Sequence, residues 1–98
     1  MEHTLIHNAE ENQFEVHLNG SKALATYERF EGGISINHTE VPKEMSGQGV
    51  GSFIAKGVLN YAKTHQLKVK PVCSFISSYI DRHPEFQEIS VFHNKNIH

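Results

Sequence analysis

Cysteine is nearly absent from this chain, with one in 98 residues. A lone thiol excludes an intramolecular disulfide, and with no leader-like apolar segment behind Met1 it points to a reducing, cytoplasmic setting. An excess of one charge is also missing. Nine Lys and Arg against eleven Asp and Glu leave a formal net charge of −2, so neither nucleic acid nor an anionic membrane is expected as the main partner. No apolar run approaches the roughly 20 residues of a membrane-spanning helix. Low-complexity stretches, internal repeats and Pro/Ser-rich linkers are lacking as well. The chain has eight histidines, but they are scattered without the paired spacing of zinc ligands, and no metal site is expected.

What is present is one domain's worth of chain. At 38% hydrophobic residues, it can bury a modest core without disulfides or metal, and a single domain over 1–98 is expected. The first half reads as strands. A weak apolar strand over 4–7 precedes one over 14–18, where Phe14, Val16 and Leu18 alternate with polar residues. Asn19-Gly20 is the two-residue hairpin signal that requires positive φ. A return strand over 22–30, a turn at Gly32-Gly33 and a third member over 34–41 complete an antiparallel meander.

From Val50 the apolar period changes from two to 3.6. Val50, Phe53, Ile54, Val58, Tyr61 and Ala62 share one face, with Gly57 completing the stripe and Lys56, Asn60 and Lys63 opposite. This predicts an amphipathic helix of about four turns. An extended stretch over 67–75 follows, so strand, helix and strand form a βαβ unit with parallel strands and a right-handed crossover. A short helix over 76–82, closed by His83-Pro84, an edge strand over 89–92 and an unstructured tail over 93–98 are expected last. The predicted fold is α+β with a mixed sheet.

The junction between strand and helix is rich in glycine. Gly47, Gly49 and Gly51 precede or open the helix, where nucleation is already costly. A helix N-terminus has amides without partners and about half a positive charge, and glycine lets an anion approach the backbone. The turn lacks the Lys-Ser/Thr ending of a P-loop, and it lacks both the full spacing and the acidic residue of a dinucleotide fingerprint. A pyrophosphate held by backbone amides fits best, and a plain helix-capping loop is the alternative.

Three ordered motifs add specificity: His38-Thr39-Glu40-Val41-Pro42, then Ser46 through Gly51, then Pro71-Val72-Cys73-Ser74 with Arg82-His83-Pro84. Together they resemble the small single-domain members of the GNAT superfamily of N-acetyltransferases, over roughly half of the chain. Ser46 stands where the superfamily pattern has Arg or Gln. The helices that larger members insert after the first strand have no counterpart.

The resemblance implies a compact GNAT-like fold in which the two parallel strands splay apart and the pantetheine arm of acetyl-coenzyme A lies in the gap. Pro71, which has no N–H, is consistent with an interrupted ladder there, although a bulge or an edge position accounts for it equally. Thr39 and Val41 would hydrogen-bond the pantetheine, and Gly47, Gln48, Gly49, Val50, Gly51 and Ser52 would hold the pyrophosphate. His38 or Glu40 is the candidate base for the amine, against a plain exposed strand face. Tyr79 is the candidate proton donor to the coenzyme thiolate, with Ser78 a weaker one, against a core aromatic. Cys73 either lines the pocket or acts as a nucleophile.

The implied function is acetyl-coenzyme A-dependent transfer to an amine acceptor by direct attack. The alternative is a non-catalytic coenzyme A or acyl-coenzyme A binding module, and a third class is an interaction module without ligand. A monomer or weak dimer is expected.

Overall fold

The computed structural model describes residues 3–94. Five strands form one sheet in chain order: β1 (Ile6–Asn8), β2 (Gln13–Leu18), β3 (Ser21–Phe30), β4 (Gly33–Glu40) and β5 (Lys68–Pro71). Strands β1 to β4 are antiparallel to their neighbours, and β5 runs parallel to β4. Helix α1 (Val50–Thr64) makes the crossover, and helix α2 (Ser74–Asp81) follows β5. The fold is the expected mixed-sheet meander followed by a βαβ unit and a short second helix.

Alternation along the strands sorts the sheet into two faces. Phe14, Val16, Ala23, Ala25, Tyr27, Ile34, Ile36 and Val69 are buried on one of them. Helix α1 buries Val50, Ile54, Ala55, Val58, Leu59 and Ala62 against this surface, and Ile76, Tyr79 and Ile80 of α2 join the same core. Phe86, from a 3-10 segment over Pro84–Ile89, closes it. The opposite face carries Gln13, Glu15, Leu24, Thr26, Glu28 and Ser35 and has no helical layer among the described residues. Fully burying one Leu- or Ile-sized side chain contributes about 1.5–3 kcal/mol, so this one-sided core is enough to hold a chain of this length.

Local signals explain the turns. Asn19 (φ 52°) and Gly20 (φ 83°) both adopt the left-handed conformation that the Asn-Gly pair predicts. Gly57 has a packing reason within α1, because a Cβ there would lie 2.4 Å from Leu5 Cδ2.

Several element boundaries differ from the sequence expectation. The strand expected over 67–75 stops at Pro71, and Ser74 already opens α2, which therefore spans Ser74–Asp81 rather than 76–82. The buried stripe of α1 is rotated toward Ala55 and Leu59, while Phe53 and Tyr61 sit at its margin against His3 and His7. The first strand begins at Ile6. The edge strand expected over 89–92 reduces to one parallel bridge between Ser90 and Val69, because the chain turns back when the His93 and Asn94 amides donate to the Ser90 carbonyl. The unstructured tail expected over 93–98 does not begin at 93: His93 links Ser90 and Asp81 at 2.6 Å each, and Asn94 donates to the Glu88 carbonyl. Residues 95–98 lie outside the described residues.

Candidate functional site

Strands β4 and β5 pair from Gly33 and Lys68 to Ile36 and Pro71, and then part. Pro71 brings no N–H to extend the ladder. Beyond it, the Val72 amide turns back to the Lys70 carbonyl (3.0 Å), and the Cys73 amide makes a last bond to the Ile36 carbonyl (2.9 Å). Strand β4 continues to Glu40 with β3 as its only strand partner among the described residues.

A second device acts on β4 itself. Tyr27 pairs with Ile36 but Thr26 pairs with His38, so Asn37 is an extra, bulged residue, and Ser35 Oγ donates to Asn37 Oδ1 at 2.6 Å. A one-residue slip exchanges the faces of every side chain beyond it. Thr39 thus lies opposite buried Ala25 on the helix-bearing face, whereas His38 and Glu40 lie opposite Thr26 and Leu24 on the uncovered face.

The loop that follows is anchored by buried Met45. Gly47 (φ 81°) and Gly49 (φ 70°) are left-handed, and a Cβ on either would meet nothing within 4 Å. Their requirement is conformational, and the space above them is open. Gly49 is the N-cap of α1 without a side-chain cap, and the first intrahelical bond runs from the Phe53 amide to the Gly49 carbonyl (2.9 Å). The amides of Val50, Gly51 and Ser52 therefore lack helical partners. The first turn contains no acidic residue, so nothing offsets the positive end of the dipole. Ser46 Oγ donates to the Lys43 carbonyl at 2.8 Å and is spent on its own turn.

Gly51 differs from the other two glycines. A Cβ there would come within 2.9 Å of Phe75 Cζ, so the Phe75 ring of α2 rests on the first turn of α1. Phe75 and Val72 are both exposed apolar side chains beside the gap. On the other flank, His3 Nε2 lies 3.0 Å from the Gln48 carbonyl and its ring meets Phe53 edge-on.

Cys73 is the N-cap of α2 and faces β4 across the gap, its Sγ 3.5 Å from Thr39 Oγ1. Burial opposes ionisation of this thiol. The Thr39 hydroxyl and the backbone amides of Ile76, Phe75 and Thr39 favour the thiolate more strongly, and the net pKa is below the ordinary value. The sequence offered no activating neighbour because the contributors are backbone groups and a hydroxyl 34 positions away.

The other candidates separate. His38 Nε2 and Glu40 Oε2 are 3.5 Å apart, with both side chains more than 60% exposed. Tyr79 lies in the core, stacked on His83 at 3.8 Å and near Phe86, and burial raises its pKa. Ser78 is exposed on α2. The structure therefore brings Cys73 and Thr39 together, places His38 beside Glu40, and turns Tyr79 into the core. Asn37 and Phe75 went unread; a bulge leaves no pattern in one strand, and a ring on a glycine shows only when two helix starts meet.

The sequence and the fold both have counterparts among known proteins. The family model for the GCN5-related N-acetyltransferase matches residues 13–89. The chain belongs to this family. It is 30% identical to a GCN5-like protein from Staphylococcus aureus whose solution structure superposes with a TM-score of 0.69, covering 89% of this chain and 86% of the other. It is also similar to Protein NATD1 of Mus musculus, 33% identical over 81 residues (80% of this chain and 74% of the relative), and to that of Xenopus tropicalis, 31% identical over the same length and with the same coverage.

Proposed function

We propose that this chain is an acetyl-coenzyme A-dependent N-acetyltransferase that acts on an amine by direct attack. The observation supporting this reading is the junction itself: past Pro71, β4 keeps β3 on one side and has no strand on the other among the described residues, and it is followed by a helix start at which the amides of Val50, Gly51 and Ser52 lack helical partners. Backbone groups of Thr39 and Val41 would bind the pantetheine as an added strand would. Gly47, Gln48 and Gly49, with the three amides, would hold the pyrophosphate. The residues present fit this ligand, since the left-handed glycines leave open space where side chains would block it.

In this reading the acceptor approaches from the uncovered face, where His38 and Glu40 accept its proton directly or through water. The amine nitrogen bonds to the acyl carbon, the carbon–sulfur bond breaks, and the coenzyme leaves as thiolate. Tyr79 is assigned to packing. Cys73 lines the gap, and its lowered pKa supports a second route. There the Cys73 thiolate takes the acyl group, releasing coenzyme thiolate, and then passes it to the amine. A cytoplasmic setting belongs to the same reading, supported by the single cysteine. Among the described residues no helix is long and apolar enough to cross a membrane.

The test is release of coenzyme thiol from acetyl-coenzyme A across a panel of amines. Saturable, acceptor-dependent release is expected. Coenzyme binding without release for any amine would leave the binding-module alternative in its place.

A further inference from the structure

Residues 3–7 lie alongside helix α1 as an extended strap that the coenzyme reading does not use. The His3 ring meets Phe53 edge-on at 5.3 Å, Leu5 packs on Gly57, and the His7 ring meets Tyr61 edge-on at 4.7 Å. Every second residue of the strap thus meets every fourth residue of the helix. The two spacings agree, since two extended residues advance about 6.6 Å and four helical residues about 6 Å. This register carries the strap to the first turn of α1 and delivers His3 to the loop in front of it.

There His3 Nε2 donates to the Gln48 carbonyl at 3.0 Å, because a carbonyl oxygen can only accept. Nδ1 of the same ring is buried and has no hydrogen-bond partner among the described residues. Buried polar atoms are rarely left so, and the contact made by the other ring nitrogen gives a reason for the placement. The Gln48 carbonyl and the Gly49 amide belong to one peptide group. That group is trans, so its C=O and N–H point in opposite directions. A side chain that holds the carbonyl on the strap side therefore turns the Gly49 N–H away from the strap. No carbonyl or side chain among the described residues takes that N–H. Gly47 (φ 81°) and Gly49 (φ 70°) flank Gln48, and glycine resists rotation less than any other residue, so the peptide needs an outside restraint to keep one orientation.

We infer that His3 is a positioning residue for the coenzyme: it fixes the Gln48–Gly49 peptide so that the Gly49 N–H joins those of Val50, Gly51 and Ser52 in holding the pyrophosphate. His3 acts on the loop and not on the ligand. The consequence for the coenzyme rests on the proposed acetyltransferase reading; the hold on the peptide is a property of the free protein.

Two variants separate the hydrogen bond from the packing. His3→Phe keeps a ring against Phe53 and removes the donor, whereas His3→Gln removes the ring and keeps an N–H donor at similar reach. Amide-resolved NMR follows the Gly49 signal in each free protein and then a titration with coenzyme A and, separately, with inorganic pyrophosphate. His3→Phe should move the Gly49 signal, leave signals away from the loop in place, and weaken both ligands about tenfold, the worth of one hydrogen bond. His3→Gln should recover most of that affinity and return the Gly49 signal toward its original position. An unmoved Gly49 signal in His3→Phe would overturn the inference, as would full affinity in His3→Phe with a loss in His3→Gln, which makes packing the whole effect. Equal losses in the two variants would overturn it too. If the unaltered protein bound neither ligand, the coenzyme reading would fall, while a Gly49 signal moved in His3→Phe and kept in His3→Gln would still uphold the hold of His3 on the loop.

Discussion

The two halves of β4 do different work. From Gly33 to Ile36 the strand is paired on both sides, and Ile34 and Ile36 are buried under α1. From the bulge at Asn37 to Glu40 it is paired on one side, and its side chains are half-buried or exposed. Proline on the neighbouring strand and an extra residue on β4 convert one into the other within a single peptide step. A site of this kind therefore costs the core little, because the ladder is complete before it opens.

That contrast can be broken from either side. The largest effect is expected at the open end. Gly49→Glu places a side chain and a negative charge at the open space above the helix start, and coenzyme A affinity should fall at least a hundredfold, about 2.7 kcal/mol. Gly49→Ala meets no atom within 4 Å, so it should cost only the left-handed strain of about 1–2 kcal/mol in denaturant unfolding. Unchanged affinity in the glutamate variant would remove the loop from the site.

At the closed end Gly33→Ala is the matching test. Its methyl would sit 2.3 Å from the Lys68 carbonyl and 2.6 Å from the Phe30 ring, and backbone cannot yield as a side chain can. A loss of about 2–3 kcal/mol is expected, against the smaller loss of about 1–2 kcal/mol at Gly49. Equal losses at the two glycines would contradict the distinction between paired and open halves.

Cys73→Ala should reduce turnover about tenfold under direct attack, less than the roughly 10²–10⁴-fold that loss of a proton-transferring group costs. Complete loss, together with an S-acetyl adduct on Cys73 in the unaltered protein, would favour the covalent route.

The smallest effect concerns pH and lies away from the gap. The His7 ring stacks on Phe14 at 4.2 Å and bonds the Tyr27 hydroxyl at 2.6 Å. Burial, then the charges of Arg29 and His65, lower its pKa below the ordinary 6.5. The folded state prefers neutral His7, so its contribution is complete above pH 6.5 and is lost as pH falls from there through the lowered value. Glu15 acts in a separate window. Donation first from His17, then Gln13 and Asn8, lowers its pKa from 4.5 to about 2, so its share disappears between those values. Thermal unfolding between pH 7.5 and 5 should show the first loss, and His7→Phe should flatten it.

Much of this was legible in the sequence because it is local. Asn19-Gly20, the apolar stripe after Val50 and the alternation of Phe14, Val16 and Leu18 each fix an element through its own neighbours. The glycine loop was readable for the same reason, since left-handed residues at a helix start advertise themselves. Long-range consequences were not. The bulge at Asn37 depends on which residue of β3 faces it, and it decides which face His38, Thr39 and Glu40 occupy. The end of β5 at Pro71 hides within an alternation that Leu67, Val69, Pro71, Cys73 and Phe75 carry straight through, so Ser74 and Phe75 read as strand. Tyr79 carried family expectation, yet its three- and four-residue spacing from Ile76 and His83 places it in the core.

The most direct measurement is an amide-resolved NMR titration with coenzyme A and, separately, with acetyl-coenzyme A. The account predicts shifts concentrated at Thr39–Val41, at Gly47–Ser52 and around Cys73, with the two ligands differing mainly near Cys73. Signals that stay in place at millimolar ligand would contradict it and leave the glycine loop a helix cap.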